Sequence, residues 1–179
     1  MSTIRYSTFP RTVHPPSTAS IVADVFQKSE QDISTVTLDK GLKSDSVLEI
    51  VRPGLMNAGF NVEADKTSVG TIDRPVFFGE NGKPSLNYQV DAYHPEYECG
   101  LEIEAGRSFM GNAFYRDLIQ AMVMVKVSTL IIAVPNTYKY KSSGRKTISK
   151  DYDNACSVAD ALYGHSRLMI PFNLVVLGY

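Results

Sequence analysis

Gln89-Val90-Asp91-Ala92-Tyr93-His94-Pro95-Glu96-Tyr97-Glu98-Cys99-Gly100-Leu101-Glu102-Ile103-Glu104 is the stretch that decides the architecture. Residues on both sides of its middle alternate with period two. Leu86, Tyr88, Val90 and Ala92 interleave with Asn87, Gln89 and Asp91, and Leu101, Ile103 and Ala105 interleave with Glu102 and Glu104. Period two is the mark of half-buried strands. Pro95 stands at the turn position that favours proline. With the turn centred between Glu96 and Tyr97, antiparallel pairing sets Asp91 opposite Glu102 and Gln89 opposite Glu104. Directly opposed residues share a sheet face, with Cβ atoms about 4.5–5.5 Å apart. A slip of one residue would turn each side chain to the other face.

Two carboxylates at that separation repel each other. A hard divalent cation such as Mg²⁺, which prefers oxygen ligands, relieves the repulsion. So does a proton retained through a raised pKa. Glu104 lies two residues further along the same face, placed to take a second ligand position or to hold a water. The competing reading is an acidic sheet face that is simply solvated.

Outward from the hairpin, the chain reads as alternating helices and strands. Ile21, Val22, Val25 and Phe26 recur at helical spacing, predicting a helix from about Ser17 to Glu30. The segment before it, with Pro10, Pro15 and Pro16, reads as an irregular arm. A second helix starts near Ser44, carries Val47, Leu48, Val51 and Leu55, and is expected to kink or split at Pro53-Gly54. Gly59 stops it, and Phe60-Asn61-Val62 opens a strand. Asn81-Gly82 is a strong hairpin turn. Beyond the acidic hairpin, Phe114, Leu118, Met122 and Val125 mark a helix starting near Asn112, and Leu130 to Val134 is a short apolar strand. Strand, helix, strand in that order favours a parallel crossover. A last helix is capped by Asp151 or Asp153 and ended by Gly164, and a last strand spans Phe172 to Leu177. The expected class is α/β, a mixed β-sheet flanked by helices, in one domain over residues 1–179: arm and helix to 43, core over 44–134, then a basic loop, helix and strand.

Composition excludes more than it selects. A net charge of −1 gives no global sign of a nucleic-acid or membrane partner. Cys99 and Cys156 have no metal-ligand spacing, so two reduced, buried thiols are expected. No apolar run approaches the roughly 18 residues of a membrane span, and no leader segment is apparent, so a cytoplasmic protein is the expectation.

The acidic hairpin resembles the PD-(D/E)XK nuclease superfamily, which includes many type II restriction endonucleases. That motif is an acid at the end of one strand, then an acid, one residue and usually Lys on the next; here it is matched by Asp91 and Glu102-Ile103-Glu104. The family core, a helix, a three-stranded antiparallel meander, a crossover helix and a strand, has the order read here from about Ser44 to Val134. The resemblance implies a restriction endonuclease-like fold and Mg²⁺-dependent hydrolysis of DNA, with Mn²⁺ as a substitute metal; the sequence itself leaves DNA and RNA both open. It implies Asp91 and Glu102 as metal ligands with the Ile103 main-chain carbonyl, Glu104 acting on the water, and Glu49 on the first core helix as an additional acid, with Asp45 as its fallback. A homodimer is a further implication. The departure is Glu104 where the family usually has Lys, a Glu-x-Glu variant that some restriction enzymes carry. A non-catalytic nucleic-acid-binding module on the same fold is the first alternative. An unrelated interaction domain with an acidic face is the second.

From Thr137 to Lys150 the chain carries Lys139, Lys141, Arg145, Lys146 and Lys150 with no acid, interleaved with Tyr138 and Tyr140. Ser142-Ser143-Gly144 reads as a mobile tip, so the segment is expected to be a flexible loop that grips phosphates, a sequence-independent and salt-sensitive contact. Arg107 follows the acidic strand closely, placed either to contact a phosphate or to pair with Glu104, and Arg116 or Gln120 on the crossover helix can face the site. His94, in the turn, is expected to be exposed.

Overall fold

A computed structural model describes residues 2–38, 41–106, 112–142 and 145–179, with 141 and 142 as backbone. In chain order the elements are β1 (Arg5–Phe9), α1 (Ser17–Lys28), α2 (Glu30–Ile33), α3 (Ser44–Asn57), β2 (Asn61–Val62), β3 (Ile72–Phe78), β4 (Pro84–Val90), β5 (Ala92–His94), β6 (Cys99–Ile103), α4 (Ala113–Val123), β7 (Thr129–Val134), β8 (Tyr138–Ser142), β9 (Arg145–Ser149), α5 (Asp151–Gly164) and β10 (Asn173–Gly178). The main sheet runs β1-β10-β7-β6-β5-β2, with β6, β7 and β10 parallel and the remaining pairs antiparallel. This is the mixed, helix-flanked sheet expected from the sequence.

The central strands explain the layering. β7 and β10 are buried on both faces, so Thr129–Val134 and Asn173–Gly178 are almost continuously apolar. Ile131, Ala133, Val175 and Leu177 pack against α1 and α3, through Val22, Phe26, Val47 and Leu55. Leu130, Ile132, Val134, Leu174 and Val176 face α4 and α5, through Phe114, Leu118, Ala155 and Ala159. In β6, Cys99, Leu101 and Ile103 belong to the first layer. Glu102 is therefore turned towards α4.

Three local expectations are corrected. The N-terminal arm is not irregular throughout: Arg5–Phe9 adds an antiparallel edge strand to β10, with Phe9 buried, and the prolines follow it. Pro53 does not split α3, because Val47, Leu48, Val51 and Leu55 hold the helix to the core on both sides of it. Gly54 there packs so close to Val25 that a Cβ would stand 2.7 Å from its Cγ1. The basic segment is not a loop but a two-stranded ribbon, β8 with β9, Lys139 across from Ile148 and Lys141 across from Lys146. Tyr, Thr and Ile suit a pleated strand, and their alternation with the lysines sets the register. Ser143 and Gly144 lie outside the described residues.

The largest correction concerns the acidic hairpin. Its register is the expected one, with Ala92 across from Leu101, Tyr93 from Gly100 and His94 from Cys99. The strand before it, however, breaks at Asp91. β4 leaves the main sheet and pairs with β3 in a separate ribbon, so Gln89 stands opposite Asp73, not Glu104. β3 and β4 are joined through the expected Asn81-Gly82 turn, with positive φ at both residues. His94 is corrected too: it is buried, its Nε2 lies 3.1 Å from the Ala58 carbonyl, and its ring meets the Phe60 ring edge-on.

Candidate active site

The break at Asp91 makes the site. Freed from the ladder, the Asp91 carboxylate accepts the main-chain N–H of Ile103 at 2.8 Å, while its own carbonyl accepts the N–H of Glu63. This draws together the ends of β2, β4 and β6. Asp91 and Glu102 line one cleft of about 720 Å³. One wall is the β3–β4 ribbon. The opposite wall is α4, with Arg116, Asp117 and Gln120, and Glu63 and Lys66 close the end beyond β2.

The electrostatics are those of too many carboxylates in too little water. Burial pushes the Asp91 carboxyl up to about 6, against the opposing pull of the Ile103 N–H and the Lys66 ammonium. Glu102 is raised well above its ordinary value, first by burial and then by the charges of Asp91, Asp117 and Glu104. Burial and the neighbouring Asp117 charge raise Glu104 to about 8, and burial raises Asp117. Arg116 bridges them, 3.4 Å from Glu104 and 2.9 Å from Asp117. Lys66 forms a 2.5 Å ion pair with the nearly inaccessible Glu63 carboxylate, which raises the ammonium's pKa.

Of the residues singled out from the sequence, the structure brings Asp91, Glu102, Arg116 and Gln120 to one cleft. Glu104 sits just past β6, tied to Arg116 and Asp117, and the Tyr179 hydroxyl donates to its main-chain carbonyl at 2.7 Å. Ile103 turns its side chain into the core. Glu49 lines an adjoining cleft of about 330 Å³ with Asp45 and Arg52, sharing only Glu63 and Lys66 with the first. Glu63 stands beside Asp91, its main-chain N–H donating to the Asp91 carbonyl.

Lys139 is committed to the Leu38 carbonyl at 2.8 Å, whereas Arg145 and Lys146 are exposed. The basic ribbon is anchored near the acidic strand: the Tyr138 ring, stacked with Tyr140, lies directly on Gly106, where a Cβ would collide with it. Arg107 lies outside the described residues.

Asp117, Glu63 and Lys66 were not singled out in advance. Asp117 did carry a signal, since it stands between Phe114, Leu118 and Ala121 on the buried stripe of α4, where an unpaired acid is costly. Glu63 and Lys66 reach the cleft through the turn after β2, and no periodicity announces it.

The donor set suits a hard cation. Among the described residues no three acidic, His or Cys side chains stand close enough to enclose a metal by themselves. Mg²⁺ does not require that, since it usually keeps several waters and takes one or two carboxylates plus substrate phosphates. Asp91 and Glu102 meet that description, and both lose repulsion when a cation is added.

No family model and no curated protein matches the chain. Among solved structures, the crystal structure of the restriction endonuclease BglII complexed with a DNA 16-mer is similar to it, with a TM-score of 0.49 and 12% identity over 98% of this chain and 76% of that chain. Chemistry is set by the side chains of a cleft and not by a shared architecture. Among the described residues no helix is long and apolar enough to cross a membrane. Cys99 and Cys156 are free, buried thiols.

Proposed function

We propose that the chain is a metal-dependent endonuclease that hydrolyses DNA phosphodiester bonds. The observation that carries this reading is the convergence of Asp91 and Glu102 in one cleft that desolvates both. Repelling, buried acids lower stability, and they make sense where a cation completes them. Asp91, Glu102 and the Ile103 carbonyl would hold Mg²⁺, or Mn²⁺ in its place. When bound, such an ion lowers the pKa of a coordinated water and neutralises developing charge on phosphate.

The remaining roles fall to the chain's own groups. Asp91 is held by the Ile103 N–H, so its free oxygen stays aimed into the cleft. Glu104, raised by burial and by the Asp117 charge, would in its ionised form accept the proton of an attacking water. Lys66 and Arg116, on opposite sides, supply cations to the phosphate. Arg145 and Lys146 grip the backbone further along. Glu49, in the adjoining cleft, is outside this set. Cutting both strands with one such cleft requires two copies, so a homodimer belongs to the proposal.

The test is cleavage of supercoiled plasmid, short duplexes and a single-stranded RNA, with Mg²⁺, Mn²⁺ or EDTA, beside Asp91→Ala and Glu102→Ala. Metal-dependent cutting lost in both variants supports the reading. Cutting that survives both rejects the site. Metal-stabilised, salt-sensitive DNA binding without cutting favours a binding module, a reading that the engagement of Glu104 with Asp117 and Arg116 would then explain.

A further inference from the structure

The β3–β4 ribbon is unusual in what its cleft-facing side offers. Asp73 and Gln89 stand across from each other, Asn87 stands across from Pro75, and Asp73, Asn87 and Gln89 all line the cleft. Among the described residues neither side-chain amide has a hydrogen-bond partner in the protein, and both residues are exposed. The ribbon's strands carry a single cation, Arg74, and it is used internally. It donates to the Val125 carbonyl at 2.8 Å and its guanidinium lies 3.7 Å above the Tyr93 ring centroid. A face with two free amides, one carboxylate and no cation is a poor grip for phosphates. Its groups match base edges: Asn and Gln pair bidentately with adenine N6 and N7, and apolar side chains contact the thymine methyl. Phe77 and Phe78, 62% and 55% exposed, and the cleft-lining Leu86 supply such apolar surface towards the ribbon's outer end. A two-stranded ribbon also fits the major groove.

We propose that the β3–β4 ribbon is the sequence-reading element, with Asn87 and Gln89 each taking an adenine in the major groove. The inference rests on the nuclease reading of the cleft and adds its specificity. The spacing follows from the strand. Gln89 and Asn87 precede Asp91 by two and four residues, about 7 and 13 Å at roughly 3.3 Å per residue. With about 3.4 Å per nucleotide along a strand, the adenines fall about two and four base pairs from the scissile phosphate. Arg74 and the Val125–Pro75 main-chain hydrogen bond fix the ribbon's base, which keeps that spacing constant.

The test is selection from a random duplex library bound by the full chain in Ca²⁺, with the cut position mapped separately in Mg²⁺. Asn87→Ala, Gln89→Ala and the double variant run beside the wild type, their folding checked by thermal melting. The wild type is expected to enrich A·T pairs about two and four base pairs from the cut. Each substitution is expected to relax one position by roughly 5- to 150-fold, the range for a bidentate base contact, without changing the salt slope of bulk binding. Variants that keep the wild-type motif overturn the proposal, as does a motif containing only G·C pairs. A wild type that binds and cuts without base preference overturns it alone and leaves the nuclease reading standing. A wild type that neither binds nor cuts overturns both.

Discussion

Replacing Asp91 by Asn removes the charge that the cleft desolvates while keeping an oxygen to accept the Ile103 N–H. The Asp91 carboxyl rises from an ordinary 3.8 to about 6 in the folded protein. That shift, at about 1.36 kcal/mol per pH unit, corresponds to roughly 3 kcal/mol of folding stability lost above pH 6. The sign follows from proton counting. Between pH 3.8 and about 6 the folded chain holds a proton that the unfolded chain has released, so stability falls as pH rises through that window. Above it the whole cost is present, and below it none is. Asp91→Asn, free of metal in EDTA at pH 7.5, should therefore be more stable than wild type by about 1–3 kcal/mol, the lower end allowing for an amide N–H that needs a partner. For a chain of this size, that is a rise in Tm of roughly 3–10 °C. At pH 4 the difference should all but vanish. Urea melts at both pH values, with thermal melts alongside, measure it. A variant less stable than wild type at pH 7.5, or a difference independent of pH, would refute the assignment of strain to the buried carboxylate.

Other outcomes follow from the same geometry. Mg²⁺ should raise the wild-type Tm at pH 7.5 by more than at pH 5, with about 2.7 kcal/mol gained at a hundredfold excess over Kd, and Asp91→Asn should abolish the gain; calorimetric melts with and without metal decide it. Asp117→Asn removes a charge that raises Glu104, so the acid limb of the cleavage pH profile should move down by about one pH unit. Arg145→Ala with Lys146→Ala should weaken DNA binding equally across sequences and reduce the slope of log K against log salt by about 2. Gly106→Ala should cost about 1–3 kcal/mol, because φ is +79° and a Cβ meets the Tyr138 ring. It should weaken DNA binding while leaving metal stabilisation intact, since it dislodges the basic ribbon and not the acidic cleft.

The hairpin register was legible because a turn with Pro95 and two period-two strands leave few ways to pair. The doubly buried β7 and β10 were legible as uninterrupted apolar runs. The break at Asp91 was not, because the alternation runs from Leu86 to Ala92 without a fault. Only competition with β3 for the β4 edge breaks it, and β3 carries Pro75, which speaks against a strand. Pairing partners distant in sequence leave little trace in either strand alone. His94 looked like an exposed turn residue because nothing local reveals Gly59, whose φ of +94° and missing Cβ let the imidazole reach Ala58. Asp117 was the one missed site residue that the pattern did mark, as a charge among core positions of α4.

The two ends of the main sheet are closed in different ways. On one side, β2 has only two residues, too short a rim to recruit another chain. On the other, β10, among the most apolar strands, lies between β7 and the five-residue β1, which ends before Pro10. Residues 5–9 thus shield the apolar β10 from edge-to-edge pairing. A chain lacking them would offer the Asn173–Gly178 backbone as an open template for a second molecule.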